Sequence, residues 1–482
     1  MTKSVKENKV TSFIKGSSIL VISNVCLKAI NFFLLPLYTN NLTPSMIGVS
    51  DSITNLTGIM LPILTMGLDS AFSAFYFDKD DSNRSDKVYS TLALFFIILG
   101  FIPLFLMIVA SPISQFLFKS KDYYYIVRFA MISVSFNLWY LPYSLELRLK
   151  NKMLLFGLSN ILASLTMILL NILFVSVIHL GEASLVLSTM FVNVEQLFVL
   201  FAFVRNVPKR NNFDSILLKK MLMFAIPLMP MTLMMWVLSL SDRYVLLHYH
   251  GSGVVGLYGI GFRFTNLLNV VISAVSMAYT TFAFSSRDDT NSKKNYYYIY
   301  SIESLLLMAI AFTFGLFGKE IIQIMTSASY ETSYVALRDL MFAQTFYAMT
   351  SIVGYGIYFE KKSIYSLMAV TAGAMINLLL NFILIPQYGI QAAAFTTLIG
   401  YCVNYFLTLY FSEKLYPCDY GHKKVLFVLG ILYIVCFASA ELQIQYKLMI
   451  WLLAASIVLL VFKNIILIVI RYVNNMLIHR RS

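Results

Sequence analysis

The chain has 482 residues, 59% of them hydrophobic and 12% charged, with a formal net charge of +13. Soluble domains are about 45–50% apolar and still leave roughly a quarter of their chain surface in water, so a soluble fold is excluded, and the apolar content excludes disorder as well. The four cysteines, Cys26, Cys402, Cys418 and Cys436, are far apart and three lie in apolar stretches, which excludes a secreted disulfide scaffold and leaves an integral membrane protein.

A membrane-crossing helix needs about 20 mostly apolar residues, and about 14 segments reach that length. They fall near 13–39, 45–77, 88–118, 122–147, 153–179, 182–205, 215–246, 253–284, 296–318, 332–359, 363–385, 389–413, 424–440 and 446–473. Each is a continuous apolar run, so an all-α integral membrane protein is expected and a β-barrel is not. The basic start MTKSVKENKV is followed by a span too long for a cleaved signal, so the span is expected to stay. Tyr123 to Tyr125 and Tyr296 to Tyr298 stand at span starts, where interfacial aromatic belts sit. Pro227 and Pro230, early in the seventh span, predict a hinge or a static bend. The methionines Met221 to Met235 around them read as adaptable packing.

Lys and Arg set the orientation. The connections on the side of both termini carry 25 of them, from Lys3 to Arg481; the opposite side carries five. The basic side is therefore expected to be cytoplasmic, in a bacterial inner membrane. That asymmetry accounts for the net charge without nucleic acid, because the basic residues sit in short loops. The opposite connections, Asn40–Pro44, Gly181–Glu182, Gly251–Ser252 and Gln387–Gln391, are too short to fold into a catalytic domain.

The chain reads as duplicated. Shifting it by about 208–210 residues puts Gly48 on Gly256, Lys152 on Lys362, Asn171 on Asn381 and Gly181 on Gly389. Two six-helix bundles are expected, 1–206 and 207–415, with 416–482 adding two more spans. With an even span count in each, the repeat is parallel, and a substrate belongs between the halves.

Charged residues inside spans are costly and therefore functional candidates. Lys28 lies near the middle of the first span, and Asn24 and Asn31 share its face at helical spacing. It either lines a cavity or reaches a carboxylate such as Asp51. Arg263 shares a face with Gly256, Gly259 and Asn266; the shift places it on Asn55, one turn beyond Asp51. It is either a bidentate phosphate ligand or a partner of Asp242 or Glu303. Asp242 and Arg243, toward the end of the seventh span, read as a structural clamp or a gate. Asp51, Asp69, Glu146, Glu195, Glu303 and Asp339 are the acidic residues in spans; Asp51, Glu195 and Glu303 are the candidates for proton or sodium coupling, against the alternative of pairing with a buried cation. Arg338 and Asp339 read as a local pair. No Walker A, H-E-x-x-H or C-x-x-C pattern occurs, and His179, His248 and His250 are weak metal evidence, so no cofactor is expected beyond a coupling ion.

Four stretches carry a resemblance: LPLYTNNLTPSMIGVSD (35–51), GLDSAFSAFYFD (67–78), the run 224–264 with Pro227, Pro230, Asp242-Arg243 and Gly256-Leu257-Tyr258, and NLLLNFILIPQYGIQAAAFTTLIGY (377–401). They resemble the bacterial polysaccharide transporters, the O-antigen and capsule-unit flippases of the multidrug/oligosaccharidyl-lipid/polysaccharide exporter superfamily; Val49 departs from the aromatic usual in that family. The resemblance implies a V-shaped pair of bundles, alternating access, and a polyprenyl-pyrophosphate-linked oligosaccharide as substrate, with a glycan polymerase and chain-length regulator as further partners. A cation-coupled multidrug-type exporter of the same fold is the alternative, though it would want an acid-rich cavity with few basic residues. A membrane polysaccharide polymerase or ligase would want a larger outer loop.

Overall fold

The computed structural model describes residues 34–77, 83–285 and 292–467, with no strand among them. In chain order the helices are α1 (Leu35–Asn41), α2 (Pro44–Thr65), α3 (Leu68–Tyr76), α4 (Arg84–Leu99), α5 (Phe101–Leu106), α6 (Ala110–Phe118), α7 (Tyr124–Leu149), α8 (Met153–Asn171), α9 (Ser184–Val204), α10 (Ser215–Ala225) and α11 (Met229–His250). They continue with α12 (Ser252–Phe264), α13 (Asn266–Ser285), α14 (Ser292–Leu316), α15 (Gly318–Met325), α16 (Tyr334–Val353), α17 (Tyr355–Phe359), α18 (Ile364–Leu415), α19 (His422–Ala438) and α20 (Ile444–Val461). Among the described residues, eight helices, some joined through short turns, are long and apolar enough to cross a membrane, and the pair α12–α13, bent by 41°, makes a ninth. Helix occupies every expected interval after the first.

Local chemistry sets the helix ends. Thr43 precedes Pro44 and its hydroxyl accepts from the Met46 amide, a start that suits proline at the first position. Asp214 caps α10 through the amides of Ile216 and Leu217, both at 2.9 Å. The seventh span changes to a 3₁₀ turn at Ile226–Leu228, beside Pro227. α18 is broken at Gly389, whose φ of 55° lies in the left-handed region. Gly181, its counterpart under the 208-residue shift, has φ 58°, and Asn151 and Lys361, 210 residues apart, have φ 56° and 55°. Asn171 and Asn381 are both buried. The shift read from side-chain identity thus recurs in backbone conformation.

One hydrophobic core joins Leu68, Phe72, Val88, Phe96, Leu138 and Leu200 to Leu217, Met221 and Ala225. The opening part of the seventh span therefore packs with the first half of the chain, whereas α11 beyond the turn packs chiefly on α18. A larger core gathers the second half from Leu238 onward, together with Leu35, Tyr38 and Ile47. Tyr296 belongs to it: fully buried, its hydroxyl donates to the Ala283 carbonyl at 3.0 Å, so it is not part of an aromatic belt. α20 is nearly all apolar and largely uncovered, with Leu453 62% and Leu460 73% exposed, as a lipid-facing helix should be. Its buried Lys447 reaches Glu320 at 2.8 Å and ties it to α15.

Candidate functional site

α2 and α12 cross where neither has a side chain. A Cβ on Gly48 would fall on the carbonyl oxygen of Ser252, and one on Gly256 would fall on that of Pro44. The contact is reciprocal, as a two-fold relation between the helices requires, and only small residues let backbones approach this closely. Around the crossing, the Ser45 and Ser252 hydroxyls are 2.7 Å apart. Tyr244 donates to the Ser52 carbonyl at 3.2 Å, Ser327 to that of Thr39 at 2.6 Å, and Tyr330 to that of Leu42 at 2.7 Å. Together these contacts close the seam between first-half and second-half helices at the end away from the basic connections.

Deeper in the seam lies one ion pair. Arg263 is eleven residues past Ser252, about 16 Å along the helix, which is roughly half of a 30 Å hydrocarbon core. Its Nη2 donates to Asp51 Oδ1 at 2.7 Å, and the guanidinium lies 5.2 Å from the Tyr38 ring centroid. Gly259 leaves the space that the Asp51 carboxylate fills. The two charged side chains are only 15% and 16% exposed. Arg263 is thus held by Asp51 and by neither Asp242 nor Glu303, and Asp51 serves as its counter-ion. Lys28, Asn24 and Asn31 lie outside the described residues.

Three unpaired donors lie on α2, α11 and α12 along this seam, the farthest about 10 Å from Asp51 along α2. Arg263 Nη1, Asn55 Nδ2 and Trp236 Nε1 are buried and have no acceptor among the described residues. Asn55 is one turn from Asp51 on α2. Trp236, on α11, faces α2 at Gly58, where a Cβ would stand 3.3 Å from its Nε1. A buried donor without an acceptor costs about 1–3 kcal/mol. Three such donors on α2, α11 and α12 make a site that needs acceptor oxygens, and a phosphate or sugar supplies several. Trp236 has no sequence signal: nothing near it in the chain marks it as facing α2. Asn266, at the α12–α13 bend, is half-buried.

The remaining candidates stand apart. Asp242 is fully buried. It accepts from the Arg243 amide at 2.8 Å, from Thr397 at 3.0 Å and from the Tyr258 hydroxyl. Arg243 stacks 4.3 Å from the Phe262 centroid and donates to the Ser239 carbonyl. These contacts bind α11 to α12 and α18, an arrangement suited to clamping. Glu195 on α9 and Glu303 on α14 are isolated: the carboxylate oxygens of each are buried with no partner among the described residues. Arg338 and Asp339 do pair, at 2.7 Å. Between α19 and α20 runs a groove of about 560 Å³, lined by Phe427, Ile431, Leu453 and Ile457, with Lys424 at its basic end.

The chain matches the family described as polysaccharide biosynthesis protein over residues 13–283. It is 23% identical over 458 residues to an uncharacterized membrane protein of Methanocaldococcus jannaschii, covering 86% of this chain and 87% of that one. Its fold is similar to that of the lipid II flippase MurJ in an inward closed conformation, with a TM-score of 0.74, 16% identity, and 94% and 98% of the two chains covered. It is also similar to an inward-facing multidrug resistance MATE family transporter of the MOP superfamily, with a TM-score of 0.64, 15% identity, and 82% and 97% covered. The family match takes in more than half of the chain, including α2, α11 and α12 with their ion pair and crossing glycines, and the chain belongs to the polysaccharide biosynthesis protein family.

Proposed function

We propose that this protein is a flippase that carries a polyprenyl-pyrophosphate-linked oligosaccharide repeat unit, of O-antigen or capsule type, from the cytoplasmic to the outer leaflet of a bacterial inner membrane. It makes and breaks no covalent bond in doing so. The two bundles expected at 1–206 and 207–415, with α10 carried by the first, rock by alternating access about the turn at 226–228, with 416–482 as an appendage. Both termini and the basic connections face the cytoplasm.

The observation that carries this reading is the ion pair with its unsatisfied donors. An entering pyrophosphate offers many acceptor oxygens to Arg263 Nη1, Asn55 and Trp236, and competes with Asp51 for the guanidinium. Binding then weakens a contact that holds the halves together, which links substrate arrival to opening. The apolar groove between α19 and α20 suits the polyprenyl tail. Glu195 and Glu303, buried without partners, are the places where a proton or sodium ion would couple transport to a gradient. A glycan polymerase and a chain-length regulator would take over the product.

The test replaces Arg263. Arg263→Ala should lower surface-glycan display at least tenfold while the protein inserts normally, and Arg263→Lys should retain a part of it, since a point charge replaces a fork. Full display in Arg263→Ala would remove the phosphate site. The multidrug reading draws on the same two isolated carboxyls, and predicts instead that Arg263→Ala leaves cation export intact.

A further inference from the structure

We infer that the second half of the chain contains a separate subsite for an uncharged sugar residue, toward the basic-connection end. A cavity of about 300 Å³ lies among α11, α13, α16, α17 and the two limbs of α18. Not one charged side chain lines it. Its walls carry the rings of Tyr279, Tyr347 and Tyr355, the amide of Asn404 and the hydroxyls of Ser276 and Thr408.

Two features make this a built site. First, polar side chains that are almost wholly buried line it, and one of them, Tyr279, has a hydroxyl without a partner among the described residues. Asn404 is 4% exposed, Thr408 3% and Tyr279 2%. Groups buried in that state are costly unless a ligand completes them. Second, the chemistry is selective. A phosphate would lie here unpaired, because no cation lines the walls to offset its burial. A pyranose suits it: its hydroxyls both donate and accept, as do Tyr, Thr and Asn, and its C–H faces suit aromatic rings such as Tyr279 and Tyr355, whose centroids are 4.8 Å apart. Met231 and Met235 supply an adaptable apolar side.

The position agrees with a molecule that carries sugar beyond phosphate. Ser276 follows Arg263 by thirteen residues along the same bent span, about 20 Å of helix. A pyrophosphate at Arg263 would leave its glycan reaching toward the basic end, where this cavity lies. The inference rests on the phosphate reading for its second anchor, and the experiment separates the two.

The full-length protein in lipid nanodiscs would be titrated with polyprenyl pyrophosphate and with the same lipid bearing one neutral N-acetylhexosamine. The wild type should bind the sugar-bearing lipid about tenfold more tightly. Asn404→Leu, Thr408→Val and Tyr347→Phe should each shrink that preference at least threefold while binding the bare lipid as before; Tyr347→Phe removes one hydroxyl and keeps the ring, so it preserves packing. Equal binding of both lipids by the wild type overturns the sugar subsite and leaves the phosphate site standing. A preference that persists in all three variants also overturns it. Binding of neither lipid overturns the phosphate reading and this one with it.

Discussion

Arg263 and Asp51 meet from helices 212 residues apart in sequence, and their shared burial gives the pair its leverage. Removing one partner of a buried pair leaves an uncompensated charge, at a cost of about 3–5 kcal/mol. Here the pair keeps some exposure, so the lower end applies. Asp51→Asn therefore destabilises the closed seam in particular, because Arg263 regains water or substrate only when the halves part. With Leu42→Cys, at a position 4% exposed at the closed end, as a reporter, labelling by a membrane-impermeant maleimide should rise about tenfold or more in Asp51→Asn. Unchanged labelling would show that the pair does not hold the seam. The pairing itself was only half legible in the sequence. Helical spacing put Asp51 with Asn55, and Arg263 with Gly259, on single faces, but spacing along one helix does not say which faces meet. That is why Arg263 looked equally suited to Asp242 or Glu303. Gly259 on the Arg263 face marked an approach by another group, since a glycine four residues before an arginine leaves room for a carboxylate from outside, but it did not say whose. Tyr347, Tyr355 and Tyr358 likewise recur at helical spacing around the cavity of the second half, a pattern hidden among 31 tyrosines.

At the scale of elements, the spans were readable because apolar length is a strong local signal, and the 208-residue shift marked Gly48 and Gly256 as equivalents. It did not reveal that these equivalents touch across the seam. The first bend was readable as well, from Pro227, but not that α10 would stay with the first half's core; packing partners of a uniformly apolar helix leave no periodic trace. The glycine crossing makes a sharp prediction. Alanine at either position places a methyl on the opposing carbonyl, so α2 and α12 must separate. Gly48→Ala should lower transport at least tenfold with normal insertion, and Gly256→Ala should do the same. Because both obstruct one contact, the double variant should be little worse than either alone, a non-additivity that a double-mutant cycle measures. Fully additive losses would mean that the two glycines act in different places.

For the whole molecule, the closing contacts sort by end. Ser45 with Ser252, Thr39 with Ser327 and Leu42 with Tyr330 all lie on the side of the short connections. On that side the halves share backbone contacts, and a rocking motion must break them in every cycle. A covalent link there separates rocking from any mechanism in which substrate slides along a static groove. Cysteines at Ser45 and Ser252 suit the purpose: the two hydroxyl oxygens are 2.7 Å apart, near enough for sulfur atoms to reach the 2.05 Å of a disulfide, about 0.7 Å closer, with small side-chain rotations. The oxidised double-cysteine protein should transport at under about a tenth of the wild-type rate, and a reductant should restore it, because the link is reversible and touches neither Arg263 nor Asn404. Each single-cysteine variant should be indifferent to oxidant. Transport at full rate through the cross-linked seam would mean that the halves need not part there, and the substrate would then have to cross along the lipid-facing groove between α19 and α20.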